Sequence, residues 1–196
     1  MVKDQMFSEM NQAALARLAG RDPKEIARNA GIHYEVETQT FHVPTMGMEI
    51  SVHYPDYCMT PELPGWHNLV ILHYLDLADG FPLSEKEIPF GQMKSGMVRG
   101  GGIDRRCELV MNDLNADTLA KICKSIGGEP ISSNADTAYR IPFLPQFPVT
   151  LKIWLPDEEF PASGRMLLDA SADHYLTIED AATVAEIILE RITTTQ

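Results

Sequence analysis

Apolar residues recur every three to four positions at the start of the chain. Met6, Met10, Ala13, Ala14 and Leu18 share one face of a helix predicted over Val2 to Leu18, which Gly20 ends. Asp22-Pro23-Lys24-Glu25 reads as a second helix start, with Asp22 as N-cap, Pro23 at the first helical position and Gly31 as the stop. From Tyr34 to Tyr54 the period falls toward two: Tyr34, Val36 and Thr38, then Phe41 and Val43, then Met48, Ile50 and Val52. Two or three antiparallel strands are expected there, with Pro44 and Gly47 between the last two runs.

Trp66 to Ala78 is apolar on almost every side, which predicts a central, buried helix. Asp79 to Gly102 has no period and is rich in Gly and Pro, so it reads as mostly loop. A helix follows over Ile103 to Met111. Asn115 caps another, with Leu119, Ile122, Cys123 and Ile126 inward and Gly127-Gly128 as its stop. Strands return at Ala138 to Phe143, Val149 to Leu155 and Arg165 to Leu168. In the second, Val149, Leu151, Ile153 and Leu155 share one face, with Thr150, Lys152 and Trp154 on the other. Thr177 and Asp180 form a capping box for a last helix striped by Ile178, Ala181, Ala182, Ala185, Ile188, Leu189 and Ile192. Strands and helices do not alternate regularly. The expectation is an α+β fold: one antiparallel sheet of about five to six strands, a buried central helix and flanking helices, in a single domain over residues 1–196.

Composition changes this picture little. The apolar and charged fractions, 44% and 22%, are those of an ordinary globular chain. No apolar run approaches the ~20 residues that span a bilayer, and the first residues lack a signal-peptide pattern, so a soluble cytoplasmic protein is expected. Cys58, Cys107 and Cys123 include no Cys-x-x-Cys pair, so no zinc or iron–sulfur framework is written, and reduced thiols are the default.

Charge changes it more. A formal net charge of −12 argues against general nucleic-acid binding and against anionic membranes. Its distribution is uneven. Residues 129–196 hold 11 acids and 4 bases, whereas Lys94 to Arg106 holds four bases against Asp104.

That basic segment is the first candidate site. Gly100, Gly101 and Gly102 let backbone N–H groups approach a ligand, and a helix start just after them suits an anion. Lys94, Arg99, Arg105 and Arg106 add donors for phosphate or carboxylate. The spacing is neither a Walker loop nor a dinucleotide fingerprint. The bland reading is a solvated loop whose arginines pair with surface acids.

The second candidate is acidic. Asp157, Glu158 and Glu159 close a strand, with Asp169, Asp173 and His174 downstream; a turn over Pro161 to Gly164 would gather them at one sheet edge for a divalent cation or acid–base pair. Asp169 and Asp173 are four apart, as on one helical face. The alternative is that Asp169 is an N-cap and the other acids are solvated. The third candidate is His73-Tyr74 in the buried helix, where an imidazole can ligate a tetrapyrrole metal or be a hydrogen-bonded core residue.

Leu72-His73-Tyr74-Leu75, Gly127-Gly128, Trp154 to Pro161, Leu167-Leu168-Asp169 and His174-Tyr175-Leu176 together resemble an uncharacterised prokaryotic family, domain of unknown function 3786, from about Asp22 to the last helix. The resemblance implies bacterial and archaeal relatives, many from anaerobes. Some carry an added N-terminal cysteine-rich segment of the iron–sulfur kind found beside corrinoid proteins. This chain has no cysteine before Cys58, and the resemblance supplies no catalytic residues.

The leading expectation is a binding or accessory protein for a small anionic ligand or cofactor, with a role in anaerobic metabolism. The alternatives are a metal-assisted hydrolase or transferase built on the acids, and an interaction module using the sheet face of Trp154. The sequence leaves reaction, cofactor and oligomeric state open.

Overall fold

The strands divide into two antiparallel sheets, where one of about five to six strands was expected. The computed structural model describes residues 2–98, 100–111, 116–156, 158–159 and 161–194. The first sheet runs in chain order through β1 (His33–Glu35), β2 (Thr40–Thr45), β3 (Met48–His53) and β4 (Cys58–Thr60). The second has the order β5-β9-β8-β7-β6, built from β5 (Glu87–Pro89), β6 (Glu129–Pro130), β7 (Thr137–Leu144), β8 (Phe147–Trp154) and β9 (Ser163–Asp169). The two extra short strands, β5 and β6, sit at its edges, which is why no periodicity announced them. Six helices accompany the sheets: α1 (Val2–Leu18), α2 (Pro23–Ala30), α3 (Gly65–Leu77), α4 (Gly100–Met111), α5 (Ala116–Ser125) and α6 (Ile178–Thr194). The α+β class holds. A single buried apolar cluster extends from Ala14 to Ile192 through both sheets.

The central helix behaves as its sequence demands. Eight residues of α3, from His67 to Leu75, are buried, and the helix packs against α1, α2 and α6. In α1 the buried face is offset from the expected stripe. Met6 is exposed and Ala13 faces solvent, while Phe7 sets its ring edge-on to Trp66 at 5.3 Å and Ala14 and Leu18 are fully buried. The larger ring at position 7 wins the inward side from the methionine beside it.

The α2 cap is as read: the Asp22 side chain accepts from Lys24 N, and Gly31 closes the helix with φ 65°. Asn115 lies outside the described residues. Leu119, Ile122, Cys123 and Ile126 are buried as expected.

In β8, Val149, Leu151 and Ile153 face the core, while Thr150 stands opposite Arg140 and Lys152 opposite Arg165 on the outer face. Leu155 falls past the strand end and is exposed, contrary to its assignment to the inner face. The β8–β9 connection occupies residues 155–162, and Gly164 is already in β9, so the turn expected at Pro161 to Gly164 sits earlier.

Pro44 belongs to β2; the β2–β3 turn is Met46-Gly47, with φ of 44° and 77°. Two positive φ values suit the twist of a two-residue hairpin. The hairpin tip docks on the second sheet through main chain. Met46 N donates to Pro142 O at 3.1 Å, and Gly47 and Gly127 meet so closely that a Cβ on Gly127 would stand 3.0 Å from Gly47 N. Next to this seam His67 is buried against Phe143, with Thr45 Oγ1 at 3.1 Å from its Nε2. Burial there, with help from Arg191, lowers the His67 pKa to about 4.

Candidate functional site

Past α3 the chain turns at Gly80, where φ is 82°, and Asp79 is left at the helix end. The segment that follows is pinned to the end of β9 by one carboxylate. Asp169 Oδ1 accepts from Ser84 N, Ser84 Oγ, Ser171 N and Ser171 Oγ at 2.7–2.9 Å, and Oδ2 accepts from Glu85 N at 2.8 Å. Burial alone would raise its pKa, but these donors hold it down to about 2. Asp169 is therefore the last residue of β9 and the anchor of a loop. It is not a helix N-cap sharing a face with Asp173, because Asp173 sits in a short 3₁₀ turn, Ala172–His174, that Ser171 precedes.

That turn brings Asp173 and His174 back over the loop. Both oxygens of Asp173 accept from Lys94 N at 3.1 Å. His174 Nδ1 lies 2.7 Å from Asp79 Oδ2, and the ring stacks on Phe81 with centroids 3.9 Å apart and planes 4° from parallel. The hydrogen bond from His174, aided by Phe81 N–H, depresses the Asp79 pKa. Tyr175 fixes the same loop by donating its hydroxyl to Phe81 O.

These contacts frame a cavity of about 380 Å³ whose walls include Lys94, Ser95, Asp173, His174, Thr177 and Glu179. Ser95 holds φ at 63°, and Gly96 behind it packs so tightly on Phe90 that any Cβ there would overlap the Phe90 carbonyl. Thr177 heads α6. Its N–H and hydroxyl donate to Asp180 Oδ2, while its own Oγ1 accepts from Asp180 N, so the capping box is as read from the sequence. The N-terminal pole of a 17-residue helix thus opens on the cavity. His174 spends Nδ1 on Asp79, which leaves Nε2 to meet a ligand or carry a proton.

The basic segment is divided by the fold. Lys94 lines this cavity. Gly100, Gly101 and Gly102 begin α4, and Gly102 lines a neighbouring groove between α4 and α6 that shares only Glu179 with the cavity. Arg105 and Arg106 are exposed on α4, with Arg106 Nε 3.5 Å from Glu186. Arg99 lies outside the described residues.

The acids are divided too. Glu158 and Glu159 lie in the β8–β9 connection, and Asp157 lies outside the described residues. Asp169 stands at the far end of β9 from them, about 20 Å along the strand from Ser163. Among the described residues no three His, Cys, Asp or Glu side chains gather to hold a metal ion.

His73 and Tyr74 are tied into the core. His73 Nδ1 lies 2.6 Å from Asp180 Oδ1, and Tyr74 donates its hydroxyl to Ala30 O while accepting from Gln146 N. Neither lines the cavity or the groove.

Asp79, Ser95 and Thr177 are cavity residues that the sequence reading did not select as ligand contacts. Asp79 had one signal, an acid placed between a helix end and a glycine. Ser95 had only the glycine after it.

A family model described as Domain of unknown function (DUF3786) matches residues 22–191. No curated protein and no solved structure matches the chain. No helix among the described residues is long and apolar enough to cross a membrane.

Proposed function

The chain belongs to the DUF3786 family, and we propose that it binds a small anionic ligand in the cavity at the head of α6. The observation that carries this reading is that Lys94, His174 and the N-terminal pole of α6 line one open cavity. Lys94 has no ion-pair partner among the described residues, and its backbone is held in place by Asp173. A compact phosphate or carboxylate would pair with that ammonium and with the N–H groups at the helix head.

Two of the acids in the wall are already engaged, Asp79 by His174 and Asp173 by Lys94 N–H. Glu179 has no such partner among the described residues. It therefore favours a ligand that carries an amine beside its anionic group.

The test is a thermal-shift screen of small phosphorylated and carboxylated metabolites against the full chain. A ligand that binds the folded chain raises the melting temperature, by more as its concentration rises above Kd. Lys94→Ala and His174→Ala should each remove the rise, while Arg105→Ala with Arg106→Ala should leave it. A rise lost only in the arginine pair would move the site to the exposed face of α4. No rise with any compound would end the binding reading.

A second reading is proton-transfer chemistry. The Asp79–His174 pair favours it, since the carboxylate fixes the ring through Nδ1 and leaves Nε2 unused, with Ser95 in the same wall. Turnover of a screened ligand that is lost in both His174→Ala and Asp79→Asn would support it.

A further inference from the structure

We infer that the groove between α4 and α6 is the docking site for a cationic amphipathic helix of a partner protein. The groove measures about 600 Å³. Its apolar lining is Trp66, Ile103, Ala182 and Ile187, and Trp66 keeps 40% of its surface exposed. Ala182 and Ile187 lie outside the core stripe of α6, which runs through Ile178, Ala181, Val184, Ala185, Ile188, Leu189 and Ile192. Both are half-buried against the core and lie on opposite sides of the outward face of α6, so the open apolar surface of the groove belongs chiefly to Trp66.

Charge along this groove identifies the occupant. Glu179, Glu186 and Glu190 line the same groove. They are spaced i, i+7 and i+11, so they form a row of about 16 Å on one face. Only Glu186 is paired, with Arg106; Glu179 and Glu190 have no ion-pair partner among the described residues. A groove with Trp66 and Ile103 on its α3 and α4 walls and a carboxylate row along α6 fits two to three turns of a helix with leucine-like residues at i, i+3, i+4 and i+7 and lysine or arginine along the edge that meets α6.

Other occupants fit less well. A second copy placed groove to groove would set glutamates against glutamates, on chains that each carry a formal −12. An anionic lipid surface is repelled by the same row.

The experiment uses the full chain with Trp154→Phe, so that Trp66 is its single tryptophan. The probe is a fluorescein-labelled leucine/lysine helical peptide of about 15 residues. Controls are a scrambled peptide of equal composition and a leucine/glutamate counterpart. The leucine/lysine peptide should shift Trp66 emission to the blue and saturate at one peptide per chain. Replacing Glu179, Glu186 and Glu190 together by Gln should weaken binding about tenfold or more. The same change at exposed Glu37, Glu62 and Glu158 should weaken it by less than about threefold. An unmoved Trp66 emission, equal loss in both triple variants, or equal binding of the scrambled peptide would each overturn the inference.

Discussion

His73 Nδ1 lies 2.6 Å from Asp180 Oδ1, joining the central helix to the cap of the last helix across 107 residues of chain. The same carboxylate takes two donors from Thr177 through its other oxygen. Removing one partner leaves a buried polar group uncompensated, which costs about 3 kcal/mol or more. His73→Ala and Asp180→Ala should each destabilise by that amount in urea, and the double variant by less than their sum. A cycle showing simple additivity would mean that the contact contributes nothing of its own.

Two groups give the stability two separate steps in acid. His67 is held neutral by burial, with its pKa lowered from 6.5 to about 4. Between those values the unfolded chain binds the extra proton, so stability present above pH 6.5 falls as the pH drops toward 4, by about 3 kcal/mol. His67→Phe should flatten that part of a Tm-against-pH curve, at the expense of an unpaired Thr45 hydroxyl at neutral pH.

Asp169 acts lower. Its pKa is about 2 against an ordinary 3.8, so its contribution is complete above about pH 4 and disappears as pH falls through 2. Asp169→Asn exchanges one accepting oxygen for a donor facing N–H and O–H groups. It should cost about 2 kcal/mol at pH 7 and loosen the segment around Ser84, seen as faster amide exchange at Ser84 and Glu85.

Two glycines with the same backbone angle should respond differently to alanine. Gly20 has φ 75° with open space around it, and Gly127 has φ 76° with Gly47 N in the way of a Cβ. Gly20→Ala should cost about 1 kcal/mol, the left-handed penalty alone. Gly127→Ala adds backbone overlap and should cost at least about twice that in chemical denaturation.

For the cavity, Glu179→Gln removes a carboxylate facing a bound anion. It should tighten a purely anionic ligand by a few-fold and weaken one that carries an amine. Calorimetric titration of both kinds of ligand separates these outcomes; equal responses would place Glu179 outside the binding contact.

Local rules made the elements legible. The Asp22 cap, the Thr177–Asp180 box, the Gly127-Gly128 stop and the all-round apolar α3 depend on neighbours in sequence, and each is present. The edge strands of the second sheet were not legible: β5 pairs with β9, whose Asp169 lies 82 residues beyond Glu87, and β6 at two residues is too short to show a period. The cavity was half legible. Lys94 and His174 stood out by type, but their meeting depends on Asp173 reaching a backbone N–H 79 residues away. Charge counting along the chain could not separate Lys94 from Arg106, which the fold sends to another surface.

Where Gly47 meets Gly127, the tip of the β2–β3 hairpin touches the turn after α5 main chain to main chain, beside the bond from Met46 N to Pro142 O of β7. The stand-off of the hairpin at this point is then the thickness of bare backbone, common to every polypeptide. Two missing methyl groups act as a locating pin: a side chain at either glycine would lift the tip off its seat, whatever the surrounding core can absorb.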